Sequence, residues 1–185
     1  NLRRSLDAHL LITRDDVAPY TALRAALIAA GFPEEETITN YNARTQTPTL
    51  SELQNYDAVL HWSNDVVSDS ALLGDRLADY VDGGGGVVLM VFAVGSWSGE
   101  SLAGRWLSGG YDPMITNDQV NGVNFSLGTV AQPAHPVMTG VSSFSITGNY
   151  VGNGTPAGTV IASYNSSPVY PMAIERTGKN GRIVS

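Results

Sequence analysis

The sequence predicts an α/β fold with a mostly parallel sheet that ends in an antiparallel C-terminal hairpin. Three observations predict it. The first hundred residues alternate short apolar runs with helix-period segments, the pattern of strand–helix–strand crossovers. Each such unit is punctuated by a Gly, Pro or Asp cluster, most plainly Gly83 to Gly86. The last thirty residues instead carry alternating runs around a short turn, Thr177-Gly-Lys-Asn-Gly181, which suits a hairpin.

The elements follow in order. Residues 8–13 (AHLLIT) form an apolar run of strand length. A helix starts at Ala18-Pro19, with Asp15 or Asp16 as N-cap and Pro in the first turn. Leu23, Ala26, Leu27 and Ala30 keep helical spacing, and Gly31 ends it. Thr37-Ile38-Thr39 reads as the second strand and residues 40–49 as a polar loop. Residues 51–57 form a helical turn leading into a third strand, Ala58 to Trp62. Ser68 is placed to cap a helix from Asp69 to Val81, with Leu72, Leu73, Leu77 and Tyr80 on one face. The glycine run then feeds a strand over Val87–Phe92. Beyond it, residues 101–107 suit a helical segment carrying Trp106, and 119–130 an extended pair. Gln132 to Pro136 reads as a loop and Val137 to Val141 as a turn. Residues 158–164 and 169–174 alternate like antiparallel strands, and Arg182-Ile-Val184 begins a returning one.

Length and charge bound the function. The 185 residues suit one domain. The net charge of −7 argues against a nucleic-acid partner, which needs a basic stripe, and against a polybasic membrane patch. The acidity is confined to residues 1–100, net −8, whereas residues 101–185 carry +1 and are rich in Gly, Ser, Thr and Asn. There is no cysteine, which removes disulfides, thiolate metal sites and a Cys nucleophile together. No apolar run approaches the ~18 residues that span a bilayer. A single lysine, Lys179, against nine arginines, with the Ser/Thr/Asn/Gly bias, leads us to expect an exported, prokaryotic protein at the cell surface or outside the cell. The chain begins at Asn1, and Ile183-Val-Ser185 reads as the middle of a strand, so a processed chain or a fragment of a longer one is expected.

Three segments together carry a family resemblance. Leu77-Ala-Asp-Tyr-Val-Asp-Gly-Gly-Gly-Gly-Val-Val88 resembles the helix–glycine–strand unit before the nucleophile turn of class I glutamine amidotransferase-like domains. His135-Pro-Val-Met-Thr-Gly-Val141 resembles the HP-I-x-x-G turn of their trehalose-utilisation (ThuA-like) branch. Tyr170 to Val184 is similar to that branch's late hairpin, where a Gly-rich turn precedes a G-R-[IV]-V strand. The resemblance runs from about Ala8 to the end and implies one domain over 1–185 with a flavodoxin-like three-layer sandwich. It also implies where the chemistry of the glutaminases would sit: a Cys after the strand matching Val87–Phe92 and a later His-x-Glu pair. This chain departs from both. The nucleophile position falls at Ala93 or Val94, and His135 is followed by Pro. Neither alanine nor valine can attack a carbonyl, so glutaminase activity by that route is excluded.

Other candidates lie on the same edge, where α/β folds place their ligands. Gly95-Ser96-Trp97-Ser98-Gly99 has Trp at the centre of the G-x-S-x-G pattern, so it fails as a hydrolase elbow. Ser96 or Ser98 acting with His61 would still need an orienting acid. A small-residue loop packed around Trp97 is the simpler reading. His61-Trp62-Ser63-Asn64-Asp65 could grip a sugar or a carboxylate, but Asn64, Asp65 and Ser68 are also ordinary turn and cap residues. No metal-ligand spacing is present, so no metal and no cofactor is expected. Trp97, Trp106 and Tyr111 suit sugar stacking if exposed and a core otherwise. The leading expectation is a non-catalytic interaction or structural domain that associates with other protein domains or with itself. The alternative is a carbohydrate-binding or carbohydrate-processing protein whose pocket is lined by His61, Trp62, Asp65, Ser96, Trp97 and Ser98.

Overall fold

A computed structural model describes residues 10–14, 18–32, 38–90, 92–94, 99–115, 119–166 and 169–185. The first half runs β1 (Leu10–Arg14), α1 (Ala18–Ala29), β2 (Ile38–Asn42), α2 (Leu50–Leu53), β3 (Ala58–His61), α3 (Ser70–Asp82) and β4 (Gly86–Leu89). The second half adds α4 (Arg105–Ser108), β5 (Gln119–Val130), a 3₁₀ turn (Pro136–Met138), β6 (Ser145–Gly152), β7 (Thr159–Tyr164), β8 (Pro171–Arg176) and β9 (Ile183–Val184).

The strands join one sheet in the order β2-β1-β3-β4-β9-β8-β7-β5-β6. From β2 to β9 every pairing is parallel, and from β9 to β6 every pairing is antiparallel. The expectation of a mostly parallel sheet with one terminal hairpin is therefore corrected. The sheet is mixed, half parallel and half antiparallel. Parallel neighbours need crossover connections, usually helical, and after α4 the described residues form no further α-helix. It must return on itself, and antiparallel pairing results. Residues 119–130 are likewise one long strand rather than a pair. Register shifts at Val120/Val123 and Val123/Phe125 bend it against β6.

Helices cover both faces of the parallel half. Val59 and Leu60 are consecutive in β3 and point to opposite faces. On one side Leu60, Trp62 and Ile38 pack with Tyr20, Leu23, Leu27 and Ile28 of α1. On the other, Val59, Val87 and Leu89 pack with Leu53 of α2, Leu73, Leu77 and Val81 of α3 and Trp106 of α4. Trp106 is completely buried and stacks on buried Tyr111, ring centroids 5.6 Å apart. Both aromatics belong to the core. A smaller cluster, Met138, Ile161, Ala162, Ala173 and Val184, holds the antiparallel half together.

Side-chain caps set the starts of α2 and α3. Thr49 starts α2 with a capping box: its hydroxyl accepts the Glu52 N–H, and the Glu52 carboxylate accepts the Thr49 N–H at 2.7 Å. Asp69, not Ser68, caps α3, accepting the Leu72 N–H at 2.9 Å. Ser68 instead donates its N–H to the Ala43 carbonyl. The glycine run ends α3 and opens β4. Gly84 takes φ = 96°, and Gly85 passes beneath the Tyr80 ring, which a Cβ would meet at 2.3 Å.

Candidate ligand-binding cavity

The carboxyl ends of β3 and β4 meet the antiparallel half at a single concave site. β3 ends at His61, and the ladder to β4 continues irregularly past it. Met90 N–H donates to the His61 carbonyl at 3.0 Å, and Phe92 N–H to the Ser63 carbonyl at 3.2 Å. The regular strand expected through Phe92 thus stops at Leu89, because the chain turns: Ala93 N–H closes back on the Met90 carbonyl at 2.9 Å. Leu102 N–H donates to the Ala93 carbonyl, and Ser101 Oγ donates to the Phe92 carbonyl at 3.0 Å. These bonds fasten the turn to the segment that follows it. The Ala93 side chain is fully buried and Val94 nearly so, both in the main core.

A cavity of ≈640 Å³ opens beside this turn. The parallel half contributes Trp62, Ser63, Asn64, Leu89, Met90, Phe92 and Val94. Across from them stand Met114, then Phe144, Ile146, Val151 and Gly152 at and along β6, Tyr164 of β7, and Pro171, Met172 and Ile174 of β8, with Ser185 after β9. Among these described lining residues there is no Asp, Glu, His, Lys or Arg. The Ser63 hydroxyl is committed to the Glu100 carbonyl at 2.7 Å. Burial pushes the Tyr164 phenol above its ordinary value, so it stays neutral at physiological pH. The described lining therefore carries no charged side chain, and three of the four methionines of the chain lie in it.

The residues singled out from sequence are distributed unevenly. Trp62 and Val94 line the cavity. His61 does not. It is 0% exposed and held in register between Thr13 of β1 and Leu89 of β4. Asp65 does not line it either. Its carboxylate pairs with Arg44 at 2.7 Å and accepts the Val66 N–H at 2.7 Å, an Asp at work in its own turn. Ala93 sits in the core behind the cavity. Ser96, Trp97 and Ser98 lie outside the described residues, as do Asp15 and Asp16. His135 accepts the Val137 N–H and faces Glu175 at 3.5 Å, away from the cavity lining. Reading by strand ends missed Met90, Met114, Met172, Phe144 and Tyr164. The methionines were the available signal, since Met gathers at adaptable binding surfaces. Apart from Met114, the far wall comes from residues fifty or more positions downstream of Val94 and left no local mark.

No protein-family profile and no curated protein matches the chain by sequence. Solved structures do match. A ThuA-like protein from Bacteroides uniformis ATCC 8492 superposes with a TM-score of 0.68, covering 99% of this chain and 83% of its own, at 13% identity. One from Parabacteroides merdae ATCC 43184 gives 0.66, covering 96% and 77%, at 16% identity. The chain has a ThuA-like fold. At these identities the ThuA-like fold is what is shared, and function is argued from the site.

Proposed function

We propose that the chain is a non-catalytic interaction domain of an exported protein, built on a flavodoxin-like, glutamine amidotransferase-like framework that lacks the nucleophile. The order β2-β1-β3-β4-β9 supports the framework, because it repeats the 2-1-3-4-5 order of flavodoxin-like sheets with β9 in the fifth place. One observation carries the reading of function. At the turn where a nucleophile would stand, the side chains are Ala93 and Val94, folded into the core, and the adjoining cavity has no general base among its described lining residues. Acyl transfer needs a nucleophile and a base within hydrogen-bond reach of each other. Export is supported by composition: one lysine against nine arginines, and a second half rich in Gly, Ser, Thr and Asn.

The test is hydrolysis of γ-glutamyl-p-nitroanilide and p-nitrophenyl acetate by the purified chain. The expected rate equals the buffer background. Hydrolysis that disappears in Ser96→Ala or Ser98→Ala would overturn the reading. Fractionation of the native host should find the protein outside the cytoplasmic membrane. A second reading, carbohydrate binding, is favoured by Trp62, Phe144 and Tyr164 lining one cavity with Asn64, since aromatic faces suit sugar rings. Isothermal titration with trehalose and maltose tests it directly.

A further inference from the structure

We infer that the cavity is a binding site for a small, uncharged, largely apolar organic molecule. The inference deepens the non-catalytic reading by naming what the site takes, and rests on it only for the cavity's lack of reacting groups. Size is the first argument. At ≈640 Å³ the cavity falls within the range of about 300–1,000 Å³ that encloses most of a small-molecule ligand. Wall chemistry is the second. Trp62, Met90, Phe92, Met114, Phe144 and Met172 present indole, phenyl and thioether surface. The thioethers can repack around different shapes, which suits a ligand that is apolar rather than one defined by hydrogen bonds.

Charge is the third argument. The chain carries 27 charged residues, seventeen acidic and ten basic, yet none is among the described lining residues. A carboxylate, phosphate or ammonium entering here would lose its water and find no counter-charge among the described lining side chains. Sugars fare little better. Every hydroxyl buried without a hydrogen bond costs free energy, the described lining offers hydroxyl or amide side chains only at Ser63, Asn64, Tyr164 and Ser185, and the Ser63 hydroxyl is already committed to Glu100. The mouth supplies the last observation. Met90 is 46% and Phe144 37% exposed, apolar side chains left against water at the edge of the cavity where a ligand would cover them.

The test uses the intact chain and N-phenyl-1-naphthylamine, a neutral probe that fluoresces on leaving water. Saturable binding with a blue shift is expected. Met90→Arg, which puts a charge in the wall at a half-exposed position, should weaken it at least about tenfold, as burying an unpaired charge demands. Leu107→Arg, on α4 and outside the lining, should leave it unchanged. Should Met90→Arg fail to fold by circular dichroism, Phe144→Glu gives the same reading. Neither trehalose nor benzoate should displace the probe. Absence of saturable binding, binding indifferent to both wall variants, or displacement by trehalose would each overturn the inference. A Ser96- or Ser98-dependent hydrolysis would end the non-catalytic reading while leaving probe binding as it is, so the two failures are distinguishable.

Discussion

Gly181 lies where the late hairpin crosses the glycine run, and a Cβ there would meet the Gly85 carbonyl oxygen at 2.0 Å and the Val81 carbonyl oxygen at 2.8 Å. Both neighbours are backbone and cannot swing aside. Gly181→Ala should therefore destabilise the fold by about 1–3 kcal/mol in urea unfolding, the usual cost of overpacking. Gly178 has open space around it but a φ of 82°, so Gly178→Ala should cost only the left-handed strain, about 1–2 kcal/mol. Two titrations also belong at this scale. The Thr49 N–H and hydroxyl hold the Glu52 carboxyl below its ordinary 4.5. The stabilising effect of that depressed value is present above pH 4.5 and is lost as pH falls through the folded-state value. NMR should find the Glu52 midpoint low and see it rise in Thr49→Ala. Tyr80, whose hydroxyl donates to the Tyr56 carbonyl at 2.8 Å, is pushed up from 10.0 to about 12, chiefly by burial. Its contribution is complete below pH 10 and is lost as pH rises toward 12, because the unfolded chain ionises first. Alkaline unfolding of wild type and Tyr80→Phe should diverge in that window. Of the residue-scale features, the missing nucleophile was legible, since Ala93 and Val94 can be read directly. Their burial was not, because it depends on Leu102 and Ser101 folding back over the turn.

Elements were legible in proportion to how local their causes are. Helix α3 combined a helical apolar face with a glycine stop, and its span was predicted within a residue. The sequence alone does not separate Ser68 from Asp69 as its cap, since Ser and Asp are equally good caps. The choice of Asp69 follows from the Ser68 backbone being bonded to Ala43, a residue 25 positions away. Thermal unfolding should show Asp69→Ala costing about 1 kcal/mol and Ser68→Ala much less. The capping box at Thr49 and Glu52 was visible as T-x-x-E, yet the helical turn was read from Ser51. β6 went unrecognised because Ser145-Ile-Thr-Gly-Asn-Tyr-Val-Gly152 mixes strand formers with two glycines and an asparagine, residues that weaken local strand signal. What makes it a strand is pairing with β5.

At the scale of the molecule, the cavity joins the two halves of the sheet. Its inner wall comes from the ends of β3 and β4, and its outer wall from β6, β7 and β8. A ligand seated there ties together elements that within the sheet are joined through β9, a strand of two residues. Binding to the folded state alone raises stability by mass action, about 2.7 kcal/mol at one hundred times Kd. A thermal-shift scan with saturating N-phenyl-1-naphthylamine should show a rise in Tm that Met90→Arg removes.

By itself the sequence determined the parallel α/β half, the absence of thiol chemistry and the presence of alanine and valine, not a nucleophile, at the strand exit. Each rests on residue type or short-range periodicity, which pattern and composition report directly. The tertiary structure alone decided that half of the sheet is antiparallel, that His61 is sealed in the ladder while Trp62 faces a cavity, and that three methionines share that cavity. These depend on which strand pairs with which. Strand pairing is set by burial across the whole chain, and no window of neighbouring residues contains it.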